Sequence, residues 1–243
     1  MTNPFHGFDD ARPGSAGEHS LQEACGTGER ADRFYREQMS DHLNAAMREF
    51  VGRMEMVFVS TSDSRGECDA TFRAGPAGFV RVLSPTTVAW PEYRGNGVMA
   101  SAGNITENPH VGLLFMDFVR DLVGLHVNGA ASLLSASEFQ DRYPDEQVDV
   151  DVPGRRPERW IVVDVHEAYI HCSKHVPRMV PVPRTREWGT DDRRKKGGDA
   201  FGVAAERGLA PRQRTAARTP VWDDAAVPEP EPVWRGRHAD RSR

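Results

Sequence analysis

Between Met54 and Met56 the hydrophobic period of the chain changes, and that change restricts the fold more than any other feature. Ahead of it, Leu43, Ala46, Met47, Phe50, Val51 and Met54 fall at i, i+3, i+4, i+7, i+8 and i+11. They form one apolar helical face, opposed by Asp41, Asn44, Arg48 and Glu49. Arg30 to Met39 reads as a shorter helix on the same side. Behind the change, short β-rich runs recur with turn residues between them. Met56–Val59 precedes the turn Asp63-Ser64-Arg65-Gly66, and Cys68–Arg73 is closed by Gly75-Pro76. Phe79–Leu83 and Thr86–Trp90 are separated by Ser84-Pro85. Strands this short, at regular spacing, predict an antiparallel meander, sandwich or barrel.

One helix interrupts the series, over Val98–Glu107, and Pro109 stops it by pushing the preceding residue out of the helical region. Val111–Met116 is a continuous apolar run, expected to be buried on both faces. Leu122–Leu134 reads as a long strand, with Val123, Leu125, Val127, Gly129 and Ala131 on one face and His126 and Asn128 on the other. Ser135-x-x-Glu138 is a capping box opening a short helix. Trp160–His171 is the last long strand. The order therefore predicts a mainly β fold: an antiparallel barrel with N-terminal helices and one helix between the fourth and fifth strands. Residues 1–17, rich in Gly, Pro, Asp and Ser, are expected to be disordered. The folded domain is expected over 18–203. Residues 204–243, with the tract Pro228–Pro232 and the isolated Trp222 and Trp234, are expected to form a solvated tail.

Charge narrows the partners. Lys+Arg number 31 against 36 Asp+Glu, a net charge of −5, which suits neither nucleic acid nor anionic lipid. Three scattered cysteines, Cys25, Cys68 and Cys172, make no disulfide framework and fit a reducing cytoplasm. The first residues lack a basic start followed by an apolar run, and no stretch approaches the ~18 apolar residues of a spanning helix. The expectation is a soluble cytoplasmic protein.

Some residues carry chemistry. Arg94-Gly95-Asn96-Gly97 just ahead of a helix reads either as a phosphate site or as an ordinary Asn-Gly turn. Ser101 lies in that helix's first turn and Asn104 one turn on. His171-Cys172-x-x-His175 invites a metal reading, but on a strand His171 and Cys172 point to opposite faces and no second pair has zinc spacing, so no metal is expected. Cys68 and Cys172 have no identifiable base partner.

Several segments together carry a resemblance. They are Asp69 to Leu83, Trp90-Pro91-Glu92-Tyr93-Arg94-Gly95-Asn96, Asn104 to Pro109, Val111 to Phe115, His126 to Ala131 and Tyr169 to Lys174. Over about Met56 to Arg178 the chain resembles the flavin-binding split-barrel family related to pyridoxamine 5'-phosphate oxidase, in an actinobacterial-type subgroup marked by the extension from Glu187 to Asp199. The resemblance implies an antiparallel split β-barrel working as a homodimer. Flavin mononucleotide (FMN) would lie in a groove between the subunits, acting on a small-molecule substrate. It places Thr71 and Arg73 beside the flavin, and Trp90, Pro91 and Glu92 near the ring. It turns Arg94, Asn96, Ser101 and Asn104 into phosphate-site candidates. Lys174 is a further candidate charge.

One departure is visible. Relatives often carry a basic residue early in the helix, where this chain has Val98-Met99-Ala100-Ser101. A deazaflavin or haem is therefore an alternative cofactor. A non-catalytic ligand-binding barrel is the alternative to a flavin-dependent oxidoreductase. The arginine-x-histidine substrate motif of the true oxidase is not recognisable, and Arg237-His238 in the tail does not match it. Oxidation of pyridoxamine phosphate is therefore not expected. No catalytic side chain is implied, because a flavin carries the electron chemistry itself.

Overall fold

A computed structural model describes residues 12–146, 157–181 and 201–209. Most of the N-terminal segment expected to be disordered, the extension from Glu187 to Asp199, and the tail features from Trp222 to Arg237-His238 lie outside the described residues. The chain divides into two compact units. Of the second, residues 201–209 are described, and they hold one helical turn, Val203–Glu206.

The first unit opens with helix α1 (Ala16–Ala24), whose Ser15 and Glu18 form a reciprocal capping box. Helix α2 (Gly28–Gln38) runs directly into a two-residue strand, β1 (Met39–Ser40). Helix α3 (Ala45–Gly52) is capped by Asn44, whose side chain accepts the Met47 N–H at 3.0 Å. Its Phe50 and Val51 are buried, with Leu43 and Met54 at either end, along the apolar face read from the sequence.

The remaining strands are β2 (Met56–Ser62), β3 (Cys68–Ala74), β4 (Arg81–Ser84), β5 (Thr87–Glu92), β6 (His110–Met116), β7 (Gly124–Leu134) and β8 (Arg159–His171). Helix α4 (Ala100–Glu107) separates β5 from β6, and α5 (Ala136–Arg142) follows β7 with the capping box of Ser135 and Glu138. All eight strands belong to one antiparallel sheet, ordered β3-β2-β6-β7-β8-β5-β4, with β1 pairing on β8. The expected architecture is therefore present. Because β1 precedes the others, the interrupting helix lies between the fifth and sixth strands rather than the fourth and fifth.

Period-two alternation builds the core. In β2, Val57, Val59 and Thr61 are buried while Phe58 and Ser60 are exposed. The buried rows of β2, β5, β6, β7 and β8 meet in one cluster that includes Val59, Trp90, Leu113, Phe115, Val127 and Val163. Three sequence expectations shift. Val111–Met116 is not buried on both faces in the single chain: Val111, Leu113 and Phe115 are buried, but Gly112 and Leu114 are half-exposed. Phe79 and Val80 are core residues ahead of β4 rather than part of it. Strand β5 continues through Pro91 to Glu92, because β4 pairs only with Thr87–Ala89 and ends before the residue that lacks an N–H.

The turn from β6 to β7 is organised by Asp117. Its carboxylate accepts the N–H groups of Val119, Arg120 and Asp121 and pairs with Arg53 at 3.3 Å. Burial pushes its pKa up, but the three N–H bonds and the Arg53 charge together hold it below the ordinary carboxylate value. Among the described residues no helix is long and apolar enough to cross a membrane.

Candidate functional site

The antiparallel register sets Asp69, Thr71 and Arg73 of β3 opposite Thr61, Val59 and Val57 of β2. These six residues therefore share the inward face. Helix α4 is docked on this polar end of the row. Ser101 Oγ donates to Asp69 Oδ2 at 3.2 Å, and Asn104 Nδ2 donates to Thr61 Oγ1 at 3.1 Å. Next to them, Asn108 Nδ2 donates to Ser62 Oγ at 2.8 Å. Thr61 and Ser101 are buried polar groups satisfied by these contacts.

At the far end of the row Arg73 reaches across to β5. Its Nε donates to Glu92 Oε1 at 2.7 Å, and its Nη1 donates to Thr71 Oγ1 at 2.7 Å. The same Glu92 oxygen accepts the Trp90 indole N–H at 2.9 Å. In the sheet order β3 is the first strand and β5 the sixth, so this ion pair bridges strands that no backbone ladder joins. The sheet thus curls until side chains of β3 and β5 meet, and the gap between these two strands, which no backbone ladder bridges, is the split. Arg73 and Glu92 are only 26% and 20% exposed, so solvent screens their mutual attraction and their action on a neighbour incompletely.

Beyond Glu92 the chain passes through an exposed loop to α4. Asn96 Oδ1 accepts the Val98 N–H at 2.9 Å, an Asx turn. Met99 sits at the N-cap of α4 in the left-handed region, φ 55°, and provides no capping side chain, unlike Ser15, Asn44 and Ser135 on α1, α3 and α5. A Cβ placed on Gly95 or Gly97 meets nothing within 4 Å. The start of α4, whose N-cap carries no capping side chain, follows a loop where Gly95 and Gly97 leave room for a bulky group, an arrangement that fits the anionic end of a cofactor.

Of the residues singled out from the sequence, the structure gathers Thr71, Arg73, Trp90 and Glu92 into one hydrogen-bonded group, with Pro91 between the last two. Arg94 and Asn96 lie on the exposed loop that follows. Ser101 and Asn104 are on α4, but each already bonds within the protein. Lys174 is elsewhere, on the 3-10 turn Ser173–His175 past the end of β8. Glu92 pairs with Arg159 at the start of β8, so roughly 40 Å of strand, at ~3.3 Å per residue, separates the two ends. Asp69 and Thr61, the partners of Ser101 and Asn104, were missed, although the alternation that aligned Thr71 with Arg73 also places Asp69 on their face. His171 turns to His126, with Nδ1 and Nε2 3.1 Å apart, while Cys172 is exposed. Among the described residues no group of three or more metal-ligating side chains assembles.

The profile of the pyridoxamine 5'-phosphate oxidase family matches residues 43–172, just over half of the chain and all of β2–β8 and α4. Among solved structures, HupZ of Group A Streptococcus is 16% identical with a TM-score of 0.38, over 57% of this chain and 99% of HupZ. An FMN-binding protein of Syntrophomonas wolfei is 14% identical with a TM-score of 0.37, over 64% of this chain and 97% of its own. HutZ, the heme storage protein of Vibrio cholerae, is 13% identical with a TM-score of 0.35, over 54% of this chain and 94% of HutZ. No curated protein matches the chain significantly.

Proposed function

The chain belongs to the pyridoxamine 5'-phosphate oxidase family, and from that premise we propose that it binds FMN and serves as a flavin-dependent oxidoreductase for a small molecule. The observation that carries the reading is that the family match spans the whole split. There the half-buried Arg73 is bonded to Thr71 and Glu92. A bound flavin supplies two-electron chemistry; the protein supplies binding, orientation and charge. In this reading Arg73, with Glu92 bonded to it, meets the cofactor phosphate, and Trp90-Pro91 leads toward the ring. The site is completed by a second copy of the chain. Phe58 and Phe72, with ring centroids 5.5 Å apart and planes tilted by 59°, are 41% and 50% exposed on the outer face and support such a partner. Lys174 enters the site only from that copy. Exposed unpaired thiols on Cys25, Cys68 and Cys172 suit a reducing cytoplasm.

A second reading, a ligand-binding barrel without catalysis, is favoured by one observation. The first turn of α4 carries no basic side chain, and its Ser101 hydroxyl is already given to Asp69. An absorption spectrum of the purified protein separates the two. Flavin bands support the first; a colourless protein that ignores added FMN supports the second; a Soret band replaces both with haem. For the residue, Arg73→Ala is expected to weaken FMN binding by ~1.5–3 kcal/mol, roughly ten- to a hundred-fold, and riboflavin binding much less. Arg81→Ala, on β4 beside Glu146 at 3.5 Å, is the comparison and is expected to leave both affinities near the wild type. Equal losses in the two variants remove Arg73 as a phosphate ligand.

A further inference from the structure

Arg73 does not face a ligand as a free cation. Its Nε is taken by Glu92 and its Nη1 by Thr71, and Nη1 also lies 3.3 Å from the Phe72 carbonyl. Glu92 is fixed in turn, because the oxygen that meets Arg73 also accepts the N–H of Trp90, which is 1% exposed. A carboxylate held by a buried indole has little freedom to swing away from an approaching anion. The pair is net neutral, and only about a quarter of either side chain reaches solvent. An anion that binds Arg73 in the split therefore also meets the negative charge of Glu92, in a setting where screening is weak.

We propose that Glu92 is the specificity-determining residue of this site: by partly neutralising Arg73 it narrows the preference for a doubly charged phosphomonoester over a ligand whose corresponding end is neutral or singly charged. The inference rests on the reading that Arg73 meets the ligand's phosphate. It goes beyond that reading by assigning the neighbouring carboxylate the opposite sign of effect. It also explains why removing Arg73 alone is costly, since Arg73→Ala leaves a bare carboxylate facing the phosphate.

The test is a cycle of variants titrated with FMN and with riboflavin, reading the ratio of the two affinities. Glu92→Gln keeps an acceptor for both Arg73 and Trp90 and removes the charge. It is expected to raise the FMN-to-riboflavin ratio roughly ten-fold, the size of one charge-assisted contact. The double variant Arg73→Gln/Glu92→Gln replaces one neutral pair by another and is expected to return the ratio to within about three-fold of the wild type. It also serves if Glu92→Gln proves unfolded by circular dichroism. If Glu92 only positions Arg73 for phosphate, Glu92→Gln lowers the ratio and the double variant falls to the level of Arg73→Ala; either result overturns the proposal. Should no variant bind either flavin, the FMN reading fails by itself. The charge argument is then decided by calorimetry with inorganic phosphate. Tighter binding to Glu92→Gln than to wild type, lost in the double variant, sustains it, and equal binding by wild type and Glu92→Gln overturns it.

Discussion

His126 shows how one side chain couples this sheet to pH. It lies half-buried on the outer face of β7, stacked on Tyr169 with ring centroids 4.7 Å apart and in contact with His171. Burial first, and the His171 charge second, hold its basicity below the ordinary histidine value. The sign follows from linkage. Above about pH 6.5, the ordinary histidine value, neither the folded nor the unfolded chain protonates this ring, and the contact contributes fully. As pH falls below that value the unfolded chain takes up the proton first, so stability is lost down to the depressed folded value. The urea midpoint of the wild type is therefore expected to fall between pH 7.5 and 5.5 by more than that of His126→Gln. Identical pH dependence in the two proteins would refute this role for His126.

At the scale of elements, the contact between β7 and β8 depends on a missing side chain. The register shifts between Asn128 and Gly129, and a Cβ on Gly129 would stand 2.1 Å from the Asp164 carbonyl oxygen. Gly129→Ala is expected to destabilise the fold by about 1–3 kcal/mol or more, because backbone rather than a movable side chain is in the way. Gly103→Ala in α4, where a Cβ meets nothing within 4 Å, is expected to stabilise by about 0.5–1 kcal/mol. Chemical denaturation of both variants checks the opposed signs. These elements also show what was legible in the sequence. Helix α3 and the strands from β2 to β8 announced themselves through period, and α5 through Ser135 and Glu138. Helix α1 carries the same signal in Ser15 and Glu18, but it begins inside a stretch whose Gly, Pro, Asp and Ser content reads as disordered. Strand β1 carried none, since two residues are too few for a period and their pairing with Ala168 and Tyr169 is a tertiary event. At the site, the face shared by Thr71 and Arg73 followed from alternation. The Arg73–Glu92 pair did not, because it joins strands far apart in the sheet and exists only once the sheet has curled.

For the molecule as a whole, the proposed pairing of two copies makes a prediction independent of any cofactor. Phe58 and Phe72 are exposed beside Leu114, which is half-buried on the same outer face. Light scattering at micromolar concentration is expected to give twice the chain mass. Phe58→Glu/Phe72→Glu is expected to shift it toward the single-chain mass without loss of β structure by circular dichroism. A single-chain mass for the wild type ends the shared-site reading.

The position of β8 has a consequence for how the chain comes into being. Among the described residues it is the last strand to be synthesised, yet it lies between β7 and β5 and also holds β1. Until Arg159–His171 has left the ribosome, the β4–β5 hairpin has no neighbour in the sheet and Glu92 has no fixed place from which to reach Arg73. During translation the growing chain therefore consists of two separate β segments with open edges. Closure of the split is reserved for the moment when the final strand slides between them.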